Sequence, residues 1–318
     1  MISIVVPLYN EESNVELIYS RLISSSSSWK ESFELIFVDD GSYDNTLLLL
    51  KALAESDKRI KIIKFSRNFG HQPAITAGLK MVRGDAAVII DGDLQDPPEQ
   101  IYRLIEKWKE GYHVVYGIRK NRKESWYKRS AYNLFYRLLK MVSEIDIPLD
   151  SGDFCLIDKR VVNVLNFELT EYNRFVRGLR AYAGFRQIGI AYKRDSRAAG
   201  EAKYTFKKLV KLAFDGLLDF STFPLRIATY LGFFIAFSSF LVGAFFILNR
   251  LFDIEIWGYS PSETPGIVSL GVGVFFLGGL VLIILGVIGE YIGRMYIEVK
   301  RRPPYIIEEV FKEKEINH

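Results

Sequence analysis

AVIIDGDLQDPPEQ, residues 87–100, runs four apolar residues straight into Asp91, Asp93 and Asp96, then into Pro97 and Pro98. A short apolar run that stops at Gly and Pro has the pattern of a buried strand. Four similar runs accompany it, ISIVVPLY, ELIFVDD, KIIKFSRN and HVVYGIR, and between them lie segments of helical character: NVELIYSRLI, TLLLLKALAES, QPAITAGLKMV and PEQIYRLIEKWKEG. Strands alternating with helices predict an α/β domain with a mostly parallel sheet covered by helices on both faces. Ligands of such sheets bind beyond the carboxyl ends of the strands. PLYNE, DDGS, SRN, DGDLQD and GIR therefore form the rim of one cleft. No Walker A or GxGxxG pattern follows any of the strands, so the usual glycine loops for phosphate are missing.

Asp91 and Asp93 flank Gly92, a spacing that lets both carboxylates turn toward one point. A divalent cation bridging a diphosphate needs only one or two protein carboxylates, and Gln95 adds a neutral oxygen. The same residues also suit a turn into a helix, and for this segment alone both readings stand. In VDDGSYDNT, Asp40, Ser42 and Asp44 suit a turn or a helix cap. Alternatively, a carboxylate there hydrogen-bonds a base or a ribose. Several acid-tipped strands on one rim repel each other unless a cation or a hydroxyl-rich ligand sits among them.

The chain has 318 residues, 49% of them hydrophobic, and a mean hydropathy of +0.09. The excess is local. Runs 227–248 and 267–289 contain no Asp, Glu, Lys or Arg, and each exceeds the roughly 18 residues that signal a bilayer-spanning helix. A transmembrane hairpin is expected, with spans at about 227–248 and 267–290. MISIVVPLYNEES has no basic flank and reads as a strand rather than a signal peptide. Lys207, Lys208, Lys211 and Arg226 precede the first span, and Arg294, Lys300, Arg301 and Arg302 follow the second. The intervening loop holds one Arg and three acids. This asymmetry places the large domain and both termini in the cytoplasm of a plasma or inner membrane protein. A single Cys155 suits a reducing compartment. The net charge of +4 is mild, and with no basic run in the soluble part it argues against nucleic acid. The basic residues cluster beside the spans, where anionic headgroups attract them.

FKKLVKLAFDGLLDF sets Lys207, Lys211, Asp215 and Asp219 at four-residue steps against an apolar face, the pattern of an amphipathic helix lying in the headgroup layer. The expected domains are 1–204 catalytic, 205–225 juxtamembrane helices, 226–292 hairpin and 293–318 cytoplasmic tail. Gly289 and Gly293 are spaced for close helix approach, although glycine is common in membrane helices. The serine tract 24–28 reads as a flexible surface loop. The tail PPYIIEEVF has an apolar stretch able to pair with a neighbouring copy.

PLYNEE, VDDGSYDNT, the RNFGH segment, DGDLQDPPE, GIR and SGDFCLID, in this order and spacing, resemble family 2 glycosyltransferases of GT-A (Rossmann-like) fold. More narrowly they resemble the polyisoprenyl-phosphate glycosyltransferases, the group of dolichyl-phosphate mannose synthase and the GtrB-type glucosyltransferases. The two C-terminal spans fit the GtrB-type subgroup. The resemblance implies that Pro7, Tyr9, Glu11 and Asp40 line the nucleoside pocket, and that Asp91, Asp93 and Gln95 hold Mg²⁺ or Mn²⁺ with the donor diphosphate. Asp93 is the expected direct ligand. It places Asp153 at the general-base position of inverting enzymes. A phosphate monoester, however, is already ionised at neutral pH, its second pKa being near 6, so Asp153 could instead orient the acceptor or stabilise positive charge at the anomeric centre. An anionic acceptor needs cations, for which Arg119, Arg129, Arg197 and Lys203 are the candidates. The QxxRW motif of processive synthases has no counterpart; its region reads NRFVRGLRAYAG.

The implied activity is inverting transfer of a hexose, glucose from UDP-glucose, to undecaprenyl or another polyprenyl phosphate, releasing UDP. The alternatives are a GDP-mannose or UDP-aminopentose donor, or a non-catalytic lipid-binding or flippase component. The expected partners are the nucleotide sugar, the lipid phosphate, the membrane and further copies in a homo-oligomer such as a tetramer.

Overall fold

The computed structural model of the protein describes residues 1–120, 151–172, 174–193, 223–252 and 266–311. Its chain divides into two compact units, 1–206 with 301–318, and 207–300.

The first unit is built on a mixed sheet of eight strands among the described residues, in the order β7-β5-β6-β4-β1-β2-β3-β8. The strands are β1 (Ile2–Leu8), β2 (Phe33–Asp39), β3 (Ile60–Phe65), β4 (Ala86–Ile89), β5 (Val114–Lys120), β6 (Ser151–Asp158), β7 (Gln187–Lys193) and β8 (Ile307–Phe311). β4, β1, β2 and β3 are parallel neighbours, as are β5 and β7. All seven residues of β1 are buried, because helices cover both sheet faces and a central strand has no wet side. Along β1, Ile2, Ile4 and Val6 join one core with α1 (Val15–Ser26), α2 (Thr46–Ser56) and α4 (Ile101–Lys109). Val5 points into a second core with α3 (His71–Lys80), α5 (Lys159–Asn163) and α6 (Val176–Tyr182). The strand period of two thus sorts one apolar run into two layers.

Two strands depart from the parallel pattern. β6 enters between β4 and β5 and runs antiparallel to both. Its first residues consequently lie at the same edge as the carboxyl ends of β4 and β5. β8 pairs antiparallel with β3, so the tail expected to seek another copy completes its own sheet. Tyr305 stacks on Phe65 at 5.0 Å, and Lys51 and Lys64 meet Glu309 and Glu308. β8 thereby covers an open edge.

The serine tract also differs from expectation. α1 continues to Ser26, and the hydroxyls of Ser25, Ser26, Ser27 and Ser28 donate to carbonyls three or four residues back, the local side-chain bonding by which serine marks a helix end.

In the second unit both uncharged runs are helical, in α7 (Phe223–Phe252) and α8 (Gly266–Lys300). Among the described residues one segment, Phe276–Lys300, is long and apolar enough to cross a bilayer, with mean hydropathy 2.1 and its apolar side chains exposed. The first run provides a shorter apolar segment, Ile227–Leu241. The amphipathic segment 205–225 lies almost wholly outside the described residues. α8 ends where Arg301 turns left-handed (φ 47°) ahead of Pro303 and Pro304, which cannot continue it.

Candidate active site

The loop after β1 and the loop after β2 are laced together. The Asn10 N–H donates to Ser42 Oγ, the Tyr43 N–H to Asn10 Oδ1, the Glu11 N–H to Thr46 Oγ1 and the Asn45 N–H to Glu12 Oε2, all at 2.9–3.0 Å. Asn10 takes a left-handed backbone (φ 51°), which asparagine tolerates, to make this crossing. Of the residues expected at the nucleoside pocket, Pro7 is buried within β1, while Tyr9 and Glu11 are half-buried on this rim. Tyr9 meets Tyr43 edge-on at 6.2 Å. The Asn14 amide donates to Glu11 Oε2 at 2.6 Å.

Asp40 is turned inward. Its carboxylate accepts from Asn68 Nδ2 and from the N–H groups of Phe69 and Gly70 at 2.7–2.9 Å, and so holds the loop after β3. Gly41 makes that approach possible: its φ is +67°, and a Cβ there would lie 2.4 Å from the Arg67 carbonyl carbon. The open oxygen belongs to its neighbour. Asp39 is fully buried and Oδ1 accepts from the Ser42 N–H, but Oδ2 has no hydrogen-bond partner among the described residues. Burial raises the pKa of both carboxyls.

After β4 the chain turns sharply. A Cβ on Gly92 would lie 2.2 Å from Leu8 Cδ2, so only glycine lets the strand end pass β1 this closely. Leu94 is left-handed (φ 59°) and the Gln95 N–H donates back to Asp93 Oδ1 at 3.1 Å, leaving both side chains half-buried on the rim. Asp96, just before the two prolines, is fully buried and accepts from the Tyr192 hydroxyl of β7. It ties the turn to the far side of the sheet.

The antiparallel register Ile89↔Cys155, carried two residues on, brings Asp91 opposite Asp153. Between them stands His71, the first residue of α3, with Nε2 3.4 Å from Asp91 Oδ1 and 3.4 Å from Asp153 Oδ2. Burial works against its charge, but Asp153 and Asp91 outweigh it and raise His71 to about 9. Burial, together with Asp153, Asp96 and Asp93, pushes the Asp91 carboxyl up to about 6 against the pull of His71. Asp91 Oδ1 makes no hydrogen bond among the described residues, its contact to His71 being long.

On its other side Asp153 meets α6. Arg177 donates through Nη2 to Asp153 Oδ1 at 3.3 Å, and the buried Arg180 donates to the Gly152 carbonyl at 3.1 Å. Burial alone would raise Asp153; Arg177, His71 and Arg180 together hold it far below the usual carboxylate range. The rim is thus polarised. Asp91, Asp93 and Asp96 crowd one side, while Arg177 and Arg180 face Asp153 on the other, with His71 between.

Arg119 lies in β5, its backbone paired with Tyr192. Arg129, Arg197 and Lys203 lie outside the described residues. The groups that the motifs did not single out are Asp39, His71, Arg177 and Arg180. For the two arginines a signal existed in VRGLR, since a three-residue step on a helix puts both on one face.

Hard oxygen donors at Asp91 and Asp93 match the preference of Mg²⁺ and Mn²⁺, and the orphaned, buried Oδ1 of Asp91 is the kind of atom a cation satisfies. Among the described residues no cluster of three or more His, Cys, Asp or Glu could enclose a metal unaided. Water and a phosphate ligand would have to complete the shell.

An α/β sheet with acids at its strand ends and cations opposite them has the form of an enzyme for anionic, hydroxylated substrates. The glycosyl transferase family 2 pattern matches residues 3–165. The chain is 49% identical over 311 residues to the uncharacterized glycosyltransferase YkcC of Bacillus subtilis, covering 97% of this chain and 94% of that one. It is 42% identical over 309 residues to the SfII prophage-derived bactoprenol glucosyl transferase of Shigella flexneri, covering 96% and 97%. Among solved structures, glucosyl-3-phosphoglycerate synthase from Mycobacterium tuberculosis, in complex with Mn²⁺ and UDP, is 19% identical with 69% and 77% covered and a TM-score of 0.43. The chain belongs to glycosyl transferase family 2, and it is a glycosyltransferase.

Proposed function

We propose that this protein is a membrane-bound inverting glycosyltransferase that moves glucose from UDP-glucose to undecaprenyl or a related polyprenyl phosphate, releasing UDP. The observation that carries the reading is the likeness to bactoprenol glucosyl transferases, which spans 96% of this chain and so includes both apolar helices. The two spans form a hairpin with the catalytic domain, 1–204, and both termini on the cytoplasmic side. Segment 205–225 lies at the headgroups between them, and 293–318 forms the tail. The protein works as a homo-oligomer.

The donor occupies the acidic side of the rim. Pro7, Tyr9, Glu11 and Asp40 frame the nucleoside pocket, where the open Oδ2 of Asp39 is the acceptor best suited to a base N–H. Asp91 and Asp93, with Gln95, hold Mg²⁺ or Mn²⁺, which when bound neutralises the leaving diphosphate. Asp153 stands near the anomeric carbon, on the acceptor side of the rim. Arg119, Arg129, Arg197 and Lys203 guide the acceptor phosphate.

Full-length protein in detergent, supplied with Mg²⁺, UDP-glucose and a polyprenyl phosphate, is expected to release UDP only when both substrates are present. Intact donor across a panel of nucleotide sugars refutes the reading. Turnover with GDP-mannose or a UDP-aminopentose but not UDP-glucose reassigns the donor.

A further inference from the structure

We propose that Arg177 on α6 is an anchor for the phosphate of the acceptor, and that Asp153 is the residue that aims it. The inference rests on the reading that the acceptor is a lipid phosphate.

Three observations carry it. First, Arg177 is incompletely used. Its side chain is 27% exposed, its Nη2 makes one long bond at 3.3 Å to Asp153, and its Nε has no hydrogen-bond partner among the described residues. A guanidinium offers five donors in a planar fork that fits two phosphate oxygens, so Arg177 can keep its contact to Asp153 and still receive an anion. Arg180, by contrast, is 1% exposed and bonds to the Gly152 carbonyl, which makes it part of the support. Second, charge is unevenly divided across the rim. Asp153 is the one carboxylate that His71 and Arg177 contact on that side, with Arg180 behind them, whereas Asp91, Asp93 and Asp96 lie together on the other. A phosphate monoester near −2 is attracted to the first side and repelled by the second. Third, both oxygens of Asp153 already face side-chain nitrogens, Oδ1 toward Arg177 at 3.3 Å and Oδ2 toward His71 Nε2 at 3.4 Å. That geometry orients a guanidinium and leaves neither oxygen turned toward an incoming proton.

The chemistry balances without a base. A phosphate oxygen of the acceptor forms the bond to the anomeric carbon, and the bond from that carbon to the diphosphate breaks, the electron pair leaving with UDP. The attacking dianion carries no proton to be removed. Asp153 is then a positioning residue acting through Arg177, and Arg177 touches the substrate.

Steady-state kinetics on the full chain in detergent, varying polyprenyl phosphate and UDP-glucose separately, test this. Arg177→Gln is expected to raise the acceptor KM about tenfold to a hundredfold, the worth of a charge-assisted hydrogen bond. UDP-glucose binding by calorimetry stays at its wild-type value. Arg177→Lys, which keeps the charge without the fork, falls between and serves if the glutamine variant does not fold. Asp153→Asn is expected to raise the acceptor KM comparably, with the double variant no worse than the poorer single one. The pH midpoint of kcat/KM for the lipid stays where the second ionisation of the phosphate sets it. An unchanged acceptor KM in both Arg177 variants overturns the proposal. So does an Asp153→Asn enzyme that loses kcat alone together with the acid limb of its pH profile. A wild-type protein that glycosylates no lipid phosphate instead refutes the proposed function, which separates the two failures.

Discussion

The two ends of one sheet treat their buried acids in opposite ways. At the amino ends of the strands, Glu34 is surrounded: Ser3 Oγ and the Arg83 N–H donate to Oε1, Lys61 pairs with Oε2, and Ser3 Oγ accepts from the Gly84 N–H. Burial pushes Glu34 up, but these partners together hold it below its ordinary value. At the carboxyl ends, Asp39 and Asp91 each keep a buried oxygen with no hydrogen-bond partner among the described residues, and both carboxyls are raised. A closed network stabilises the fold and has nothing left to offer a ligand. An open one costs stability and is able to bind.

The sharpest way to break this contrast is to remove one acid from each end. Asp91→Asn at the rim is expected to lower kcat/KM by about 10³-fold, the scale of losing a preorganised electrostatic partner, while chemical denaturation stays within about 1 kcal/mol of wild type. Asp93→Asn should likewise abolish turnover and leave membrane insertion intact. Full activity in either variant removes the donor-side reading. Glu34→Ala at the foot should do the reverse. It strands Lys61, which is 13% exposed, and costs about 3 kcal/mol, read as a lower denaturation midpoint with unchanged turnover per folded molecule.

A smaller effect tests how the rim is shaped. Gly92→Ala forces a methyl against the buried Leu8 side chain and should cost about 1–3 kcal/mol, with loss of activity as Asp91 and Asp93 are displaced.

The smallest expected effect is the pH dependence of stability, where the ends again diverge. His71 has a folded pKa of about 9, above its unfolded 6.5. Its contribution is full below about pH 6.5 and is lost as pH rises through about 9. Glu34 has a folded pKa below its unfolded 4.5, so its contribution is present above about 4.5 and is lost as pH falls through the folded value. Thermal melts without added metal should show the gap between wild type and His71→Asn closing toward pH 9.5. The side chain is 41% exposed, so screening keeps that gap small.

Much of this was legible along the chain. The apolar runs ending in Asp, Gly and Pro located β1 to β5, and the rule that ligands gather beyond strand carboxyl ends selected the rim. Asp91, Asp93 and Asp153 could be named from motifs. The RNFGH segment was among those motifs, but no role fell on His71, since one histidine after an NFG turn carries no periodic signal. Nor does the motif show that Asp40, expected at the nucleoside pocket, also secures Asn68, Phe69 and Gly70 through its oxygens.

Hydrophobic period, turn residues and uncharged runs are local properties, so the sequence by itself determined β1 to β5 and the helices between them, which strand ends carry charge, and the two long apolar helical runs. Tertiary structure decided the rest. An apolar run reads the same whether it pairs parallel or antiparallel, so nothing in SGDFCLID announces that β6 reverses between β4 and β5. Only that reversal sets Asp153 opposite Asp91. The placing of His71 between them, of Arg177 behind Asp153, and of β8 on the edge of β3 depends in the same way on contacts distant in sequence. Those contacts exist only once the sheet has been assembled.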